Sequence, residues 1–161
     1  MPKQIPCLWF DGAAEEAAAH YTSIFPNSSI GEVTRYGPGM PMPEGTAMTV
    51  GFTLDGQEYT ALNGGPQFPF TEAVSFQIMC RDQEEADHYW TRLTDGGEES
   101  MCGWLKDRFG VSWQIVPSVL GSLIAGPDPQ GSQRAMQAML GMRKLDIGEL
   151  DIGELQKAYD G

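Results

Sequence analysis

Basic residues are scarce in this chain of 161 residues. Ten Lys and Arg stand against 22 Asp and Glu, which gives a formal charge of −12 with histidine neutral. The longest basic stretch is Arg143-Lys144, whereas proteins that bind phosphate backbones cluster many Lys and Arg. The composition therefore argues against a nucleic-acid partner.

Long apolar runs and paired cysteines are also missing. No run approaches the roughly 18–20 apolar residues of a membrane-spanning helix, and the first residues lack the apolar segment of a signal peptide. The three cysteines, Cys7, Cys80 and Cys102, are an odd number, and a chain of this length buries enough surface to need no disulfide bond. We therefore expect a cytoplasmic protein without membrane contacts.

Two stretches of the chain share one plan, which predicts an internal repeat. Residues 7–21 and 76–90 each contain a short apolar run, an Asp, a Glu-Glu-Ala helix start and a His-Tyr pair. The apolar runs are predicted strands by their length and residue types. Asp11 and Asp82 are predicted to cap the two helices, because a side-chain oxygen there accepts a hydrogen bond from the first turn.

The repeat continues after each helix, so the plan is βαβββ, twice. The further predicted strands are 30–36, 46–54, 57–62, 99–105 and 111–116. The two modules span about 4–63 and 73–117 and together form one predicted domain, 1–117. Residues 118–161 are predicted to form a helical extension.

The extension contains two predicted helices and a short duplication. The helices are predicted at 119–124 and 128–142. The pentapeptide Asp-Ile-Gly-Glu-Leu occurs twice in tandem, at 146–150 and 151–155. We interpret it as a local duplication within a terminal helix and attach no function to it.

Four strings resemble the PhnB-like branch of the glyoxalase, or vicinal oxygen chelate, superfamily. They are PCLWFDG at 6–12, ALNGGP at 61–66, FTEAVSFQ at 70–77 and CGWLKDRFGVSWQIVP at 102–117. Many members of this branch carry the label 3-demethylubiquinone-9 3-methyltransferase. The resemblance implies an α+β fold in which two βαβββ modules form an incomplete barrel, the glyoxalase/bleomycin resistance/dihydroxybiphenyl dioxygenase-like fold. It also implies a homodimer.

Active members of that superfamily bind a divalent metal inside the barrel. The resemblance places one ligand of each module about seven residues before the helix-capping Asp and another about four residues after a turn glycine. These positions hold Gln4 and Ser75, and Thr60 and Gln114. None is the His, Asp or Glu that such a metal prefers. We therefore expect neither a metal nor another cofactor.

The remaining candidates form a polar cleft wall with an aromatic neighbour. They are Gln4, Thr60, Ser75, Gln77, Gln114 and Trp104. Gln77 shares strand parity with Ser75, so the two point to one face. Amides beside aromatic residues suit a small-molecule pocket, but they also occur as hydrogen-bonded groups in cores. Both interpretations stay open, and no catalytic residue can be assigned.

The histidines and cysteines suggest no other site. His20 and His88 fall late in the two helices at equivalent positions, and we expect both outside the barrel. Cys80 or Cys102 with a histidine could form a zinc or nucleophile site, but no C-x-x-C spacing or paired His motif supports one.

The main prediction is a glyoxalase-fold protein of undetermined reaction that binds a small molecule in a metal-free cleft. One alternative is a sequestering protein of the bleomycin-resistance type, and another is a metal-dependent lyase or dioxygenase with displaced ligands. The methyltransferase label lacks support, because the glycines at 64 and 65 are followed by Pro66 and no predicted helix. Whether the protein is an enzyme stays open.

Overall fold

A computed structural model describes residues 3–121, 125–145 and 151–161. The chain divides into two compact units, Met1–Phe70 and Thr71–Gly161. Each unit contains an open, mixed, four-stranded sheet built from one βαβββ module. The predicted α+β class and the repeat are therefore confirmed.

The first unit pairs its strands in the order β1-β4-β3-β2. Its elements are β1 (Cys7–Phe10), α1 (Ala14–Ile24), β2 (Ser29–Arg35), β3 (Ala47–Leu54) and β4 (Gln57–Asn63). β1 is parallel to β4, and the other pairs are antiparallel. Asp55 and Gly56 join β3 to β4 with φ values of 45° and 85°, as in a type I′ hairpin turn.

Alternation along β3 gives this sheet two different faces. Val50 and Phe52 are buried, whereas Gly51 between them and Thr49 before them are partly exposed. α1 covers the buried face, where the ring of Tyr21 lies 6.1 Å from that of Phe52, centroid to centroid. We call the uncovered side of each sheet its open face.

The second unit repeats the plan with shorter strands, in the order β5-β8-β7-β6. Its elements are β5 (Ser75–Cys80), α2 (Gln83–Thr94), β6 (Glu98–Glu99), β7 (Trp104–Lys106) and β8 (Ser112–Pro117). The single strand predicted at 99–105 is wrong. That segment folds as a hairpin, because Cys102 and Gly103 turn the chain with φ values of 60° and 81°.

The start of α1 corrects a second prediction, because Asp11 does not cap it. The residue before the helix makes no side-chain capping bond. Instead, the Oδ1 atom of Asn63 in β4 accepts a hydrogen bond from Ala14 N at 2.9 Å. Asp82 caps α2 as predicted and accepts a hydrogen bond from Glu85 N at 2.9 Å.

Two tail helices belong to the second unit, α3 (Pro129–Met139) and α4 (Asp151–Asp160). The second pentapeptide copy begins α4, whereas the first copy at 146–150 lies outside the described residues. Residues 122–124, the end of a predicted helix, also lie outside them. No helix in the described part of the chain is both long and apolar enough to cross a membrane.

Candidate functional site

Four residues predicted to line a cleft meet on the open face of the second sheet. Ser75 and Gln77 alternate along β5, and Gln77 lies opposite Gln114 of β8. Gln114 in turn lies opposite Trp104 of β7. On β7 and β8 the neighbours at the other parity, Leu105, Trp113 and Ile115, are buried. Strand register therefore gathers the four side chains on one face.

Three of these side chains are joined by hydrogen bonds, and we call them the amide array. Gln114 Nε2 donates to Ser75 Oγ at 2.8 Å, and Gln77 Nε2 donates to Gln114 Oε1 at 3.4 Å. Gln77 is exposed, while Ser75 and Gln114 are half-buried. The array is thus both ordered and accessible, as a face that binds a polar molecule requires.

A pocket of about 180 Å³ lies on the same sheet, and we call it the edge pocket. Its lining includes Glu72, Glu98, Trp104, Lys106 and Ser112. Lys106 and Glu72 form an ion pair. The hydrogen bond between them lowers the pKa of the Glu72 carboxyl and raises the pKa of Lys106.

The sequence reasoning found only Trp104 among the residues that line the edge pocket, and it missed Lys106 and Ser112 in particular. Lys106 and Ser112 lie opposite each other on β7 and β8. Each is two residues from a predicted residue, Trp104 and Gln114 respectively, and so has the same parity. This shared parity is the sequence feature from which both residues could have been predicted.

Thr60 lies on the open face of the first sheet. It occupies β4 opposite Cys7 of β1. A pocket of about 290 Å³ there includes Ile5 and Thr60 in its lining. Gln4 is absent from that lining; it precedes β1 and is exposed.

The place of Gln4 follows from where the reference Asp lies in each module. Asp11 directly follows the last residue of β1, whereas Asp82 is the second residue after β5. Counting back from Asp11 by the distance that leads from Asp82 to Ser75 therefore overshoots by one residue. Ile5, rather than Gln4, corresponds to Ser75.

The donor set at the expected metal positions does not fit a divalent cation. In the structure these positions hold Ile5, Thr60, Ser75 and Gln114. An alkyl group, two hydroxyls and an amide leave the charge of a dication uncompensated, and the amide of Gln114 is already bonded to Ser75. Among the described residues, no group of three or more His, Cys, Asp or Glu could hold a metal ion.

The histidines and cysteines do not supply an activated nucleophile to these open faces. His20 lies on α1 and His88 on α2. Burial raises the pKa of all three thiols, and that of Cys80 reaches about 11 with the help of nearby carboxylates. A raised thiol pKa leaves less thiolate at neutral pH, which is the opposite of an activated nucleophile.

Comparison with known proteins gives a family match and several solved structures. The sequence profile described as 3-demethylubiquinone-9 3-methyltransferase matches residues 2–116. A solved PhnB protein from Bacillus cereus, described in the same terms, is 37% identical, with 72% of this chain and 99% of that chain covered and a TM-score of 0.67. No curated protein matches the sequence significantly.

Two more distant solved structures share the fold. Protein PA1353 from Pseudomonas aeruginosa is 21% identical, with 73% of this chain and 98% of that chain covered and a TM-score of 0.60. The fosfomycin resistance protein FosX from Listeria monocytogenes, solved with Mn(II) and sulfate, is 18% identical. The match covers 71% of this chain and 89% of that chain, with a TM-score of 0.50. At these identities the likeness shows the fold alone.

Proposed function

The chain belongs to the family described as 3-demethylubiquinone-9 3-methyltransferase, the PhnB-like branch of the glyoxalase superfamily, and we propose that it binds a small polar molecule on the open face of its second sheet without a metal ion. The amide array of Ser75, Gln77 and Gln114, with Trp104 beside it, carries this proposal. Amides offer donor and acceptor atoms to a ligand, and the indole offers apolar area.

Metal independence is supported by the side chains at the positions where the superfamily holds its metal. A lyase or dioxygenase with displaced ligands would need imidazoles or carboxylates that converge on one point. The described residues offer no such group of three. Titration with Mn²⁺, Ni²⁺ and Zn²⁺ checks this, and stoichiometric binding that Gln114→Leu abolishes would contradict it.

A methyltransferase reaction has no support in the fold. Enzymes with doubly wound sheets bind their nucleotide-like cofactors at a glycine-rich turn between a strand and a helix. Here the glycines at 64 and 65 follow β4, and residues 64–74 form no helix. Neither sheet has the alternating strand–helix order of that architecture. The label is therefore a family name that the residues of this chain do not explain.

Binding without turnover is the second candidate, and one observation favours it. The amide array contains no group that transfers protons readily near neutral pH. Two ionisable groups of the edge pocket, Lys106 and Glu72, are engaged with each other in an ion pair. A sequestering protein needs no more than this, whereas chemical change of a bound compound would identify an enzyme.

Substitution of the amide array is expected to weaken ligand binding. In a thermal-shift screen of polar metabolites without added metal, we expect at least one compound to stabilise the full chain. Gln77→Leu and Gln114→Leu should each weaken that compound's binding about tenfold, because each removes a hydrogen bond worth roughly 1–1.5 kcal/mol. Gln57→Leu, which changes an exposed glutamine outside the array, is the matched control. Binding that all three variants retain would place the ligand elsewhere.

We also propose a homodimer. Large apolar side chains stay exposed in the single chain, and Phe68, Val74 and Met79 are 65%, 67% and 56% exposed. Exposed apolar surface commonly marks an interaction surface. Light scattering should give a mass in solution of twice the chain mass of 17.6 kDa, and the mass of one chain would contradict the proposal.

A cytoplasmic location is likewise part of the proposal. Cys7, Cys80 and Cys102 are all free thiols, which suits a reducing compartment. Fractionation of cells that produce the tagged chain checks this, and recovery from a secreted fraction would contradict it.

A further inference from the structure

The hydroxyl of Ser112 has an unusual environment. Ser112 lines the edge pocket, yet only 1% of the residue is exposed. Its Oγ atom has no hydrogen-bond partner in the described part of the chain. Buried polar groups are nearly always hydrogen-bonded, because burial removes their bonds to water. A polar atom of a ligand in the pocket would supply the missing bond.

The charges around the edge pocket favour a cation. The ammonium of Lys106 is paired with Glu72, and Glu98 lies opposite Lys106 on β6. One positive and two negative groups sum to −1. Glu99 also lines the pocket, but it pairs with Arg143 at 3.9 Å, so this further pair leaves the sum at −1. An anionic ligand would therefore be repelled by the net negative charge, whereas a cationic ligand would neutralise it.

The pocket also limits the size and character of its occupant. Its volume of about 180 Å³ slightly exceeds that of an engineered cavity of about 150 Å³ that admits benzene. Trp104 lines it and is half-buried. An indole contacts apolar carbon and also attracts cations over its face.

We propose that the edge pocket binds the ammonium group of a compact organic amine. The amine donates a hydrogen bond to Ser112 Oγ, pairs with the carboxylate of Glu98 and packs its carbon atoms against Trp104. This inference rests on the proposed small-molecule binding and names the ligand class. A hydroxyl accepts such a bond readily, and charge-assisted bonds of this type are stronger than neutral ones.

Three probes of similar size and different charge test the inference. Benzylamine, benzyl alcohol and benzoate are titrated into the full chain, with binding followed by NMR at physiological ionic strength to screen the acidic surface. We expect benzylamine to bind at least tenfold more tightly than the other two. Equal binding of the three probes, or a preference for benzoate, would overturn the inference.

Variants separate the pocket from the general acidity of the chain. Ser112→Ala and Glu98→Gln should each weaken benzylamine binding about tenfold. Glu44→Gln removes the same charge as Glu98→Gln from an exposed loop position and should change nothing. Benzylamine binding that Ser112→Ala and Glu98→Gln leave intact would overturn the inference.

The stability of Ser112→Ala is an independent readout. Because the hydroxyl has no partner in the described chain, its removal should leave the Tm unchanged or raise it slightly. Weaker binding at an unchanged Tm supports a ligand-binding role. A lowered Tm would show a structural role and contradict the inference.

The outcome also distinguishes this inference from the proposed function. If screened compounds bind in a manner that depends on Gln114 while benzylamine does not bind, the amine class is wrong and the proposed function stands. If neither the screen nor benzylamine gives binding, both are wrong.

Discussion

Replacing Asp107 by alanine is expected to lower the free energy of unfolding by about 3–5 kcal/mol. Only 3% of Asp107 is exposed. Its Oδ1 accepts hydrogen bonds from Phe109 N at 2.8 Å and Val111 N at 3.0 Å, and its Oδ2 accepts one from Trp113 Nε1 at 2.9 Å. Alanine would remove the acceptor of all three hydrogen bonds. The loop that leads into β8 would lose the hydrogen bonds that hold it in place. The same bonds support β8, the strand that carries Gln114.

Two further variants show whether the hydrogen bonds cause this loss. Asp107→Asn keeps an acceptor for the two backbone donors but loses the one for Trp113, so we expect about half the effect. Asp95→Ala removes an exposed carboxylate paired with Arg108, which should cost less than about 1 kcal/mol. Urea unfolding followed by tryptophan fluorescence measures all three. Equal losses for Asp107→Ala and Asp95→Ala would contradict the account.

Replacing Asn63 by leucine is expected to lower the free energy of unfolding by about 2–4 kcal/mol. Asn63 is 1% exposed. Its Oδ1 accepts from Ala14 N at 2.9 Å, and its Nδ2 donates to Ala47 O at 2.9 Å. Leucine has a similar size, but it leaves the first turn of α1 and the start of β3 each with an unpaired backbone group.

The expected change for Asn63→Leu is a fall in Tm of roughly 4–16 °C, since each kcal/mol shifts the Tm of a chain of this size by about 2–4 °C. Circular dichroism during heating measures it. Gln57→Leu, at the exposed start of the same strand, should have a free energy of unfolding within about 0.5 kcal/mol of the wild-type value. A wild-type Tm for Asn63→Leu would show that β4 does not hold the helix start.

Local patterns were enough to predict most of the fold. Strands such as β3 alternate buried and exposed residues, and alternation is visible in the sequence. The hairpin turn at Asp55-Gly56 and the cap at Asp82 also depend on neighbouring residues only. These features were predictable because each one is decided within a few positions.

The errors in the fold have non-local or unusual causes. The cap of α1 comes from Asn63, 49 residues away in sequence, so no local motif marks it. The hairpin within 99–105 needs a positive φ at Cys102, a conformation that few non-glycine residues adopt. The offset between Gln4 and Ser75 follows from the reference residues, because Asp11 directly follows β1 whereas Asp82 is the second residue after β5.

The candidate site was predictable where strand parity alone decides it. Ser75, Gln77, Gln114 and Trp104 share one open face as their parity and register require. Ser112 has the same parity, but its importance depends on burial and on a missing hydrogen bond. Neither property can be read from a serine in a sequence.

A crystal structure of the full chain with the most strongly stabilising compound of the metabolite screen tests the central claim most directly. Anomalous scattering in the same crystals would reveal any transition metal. The account predicts the compound on the open face of the second sheet, hydrogen-bonded directly to Gln114 or Gln77, with no metal between them. A metal ion that joins the compound to the protein, or a compound bound away from this face, would contradict it.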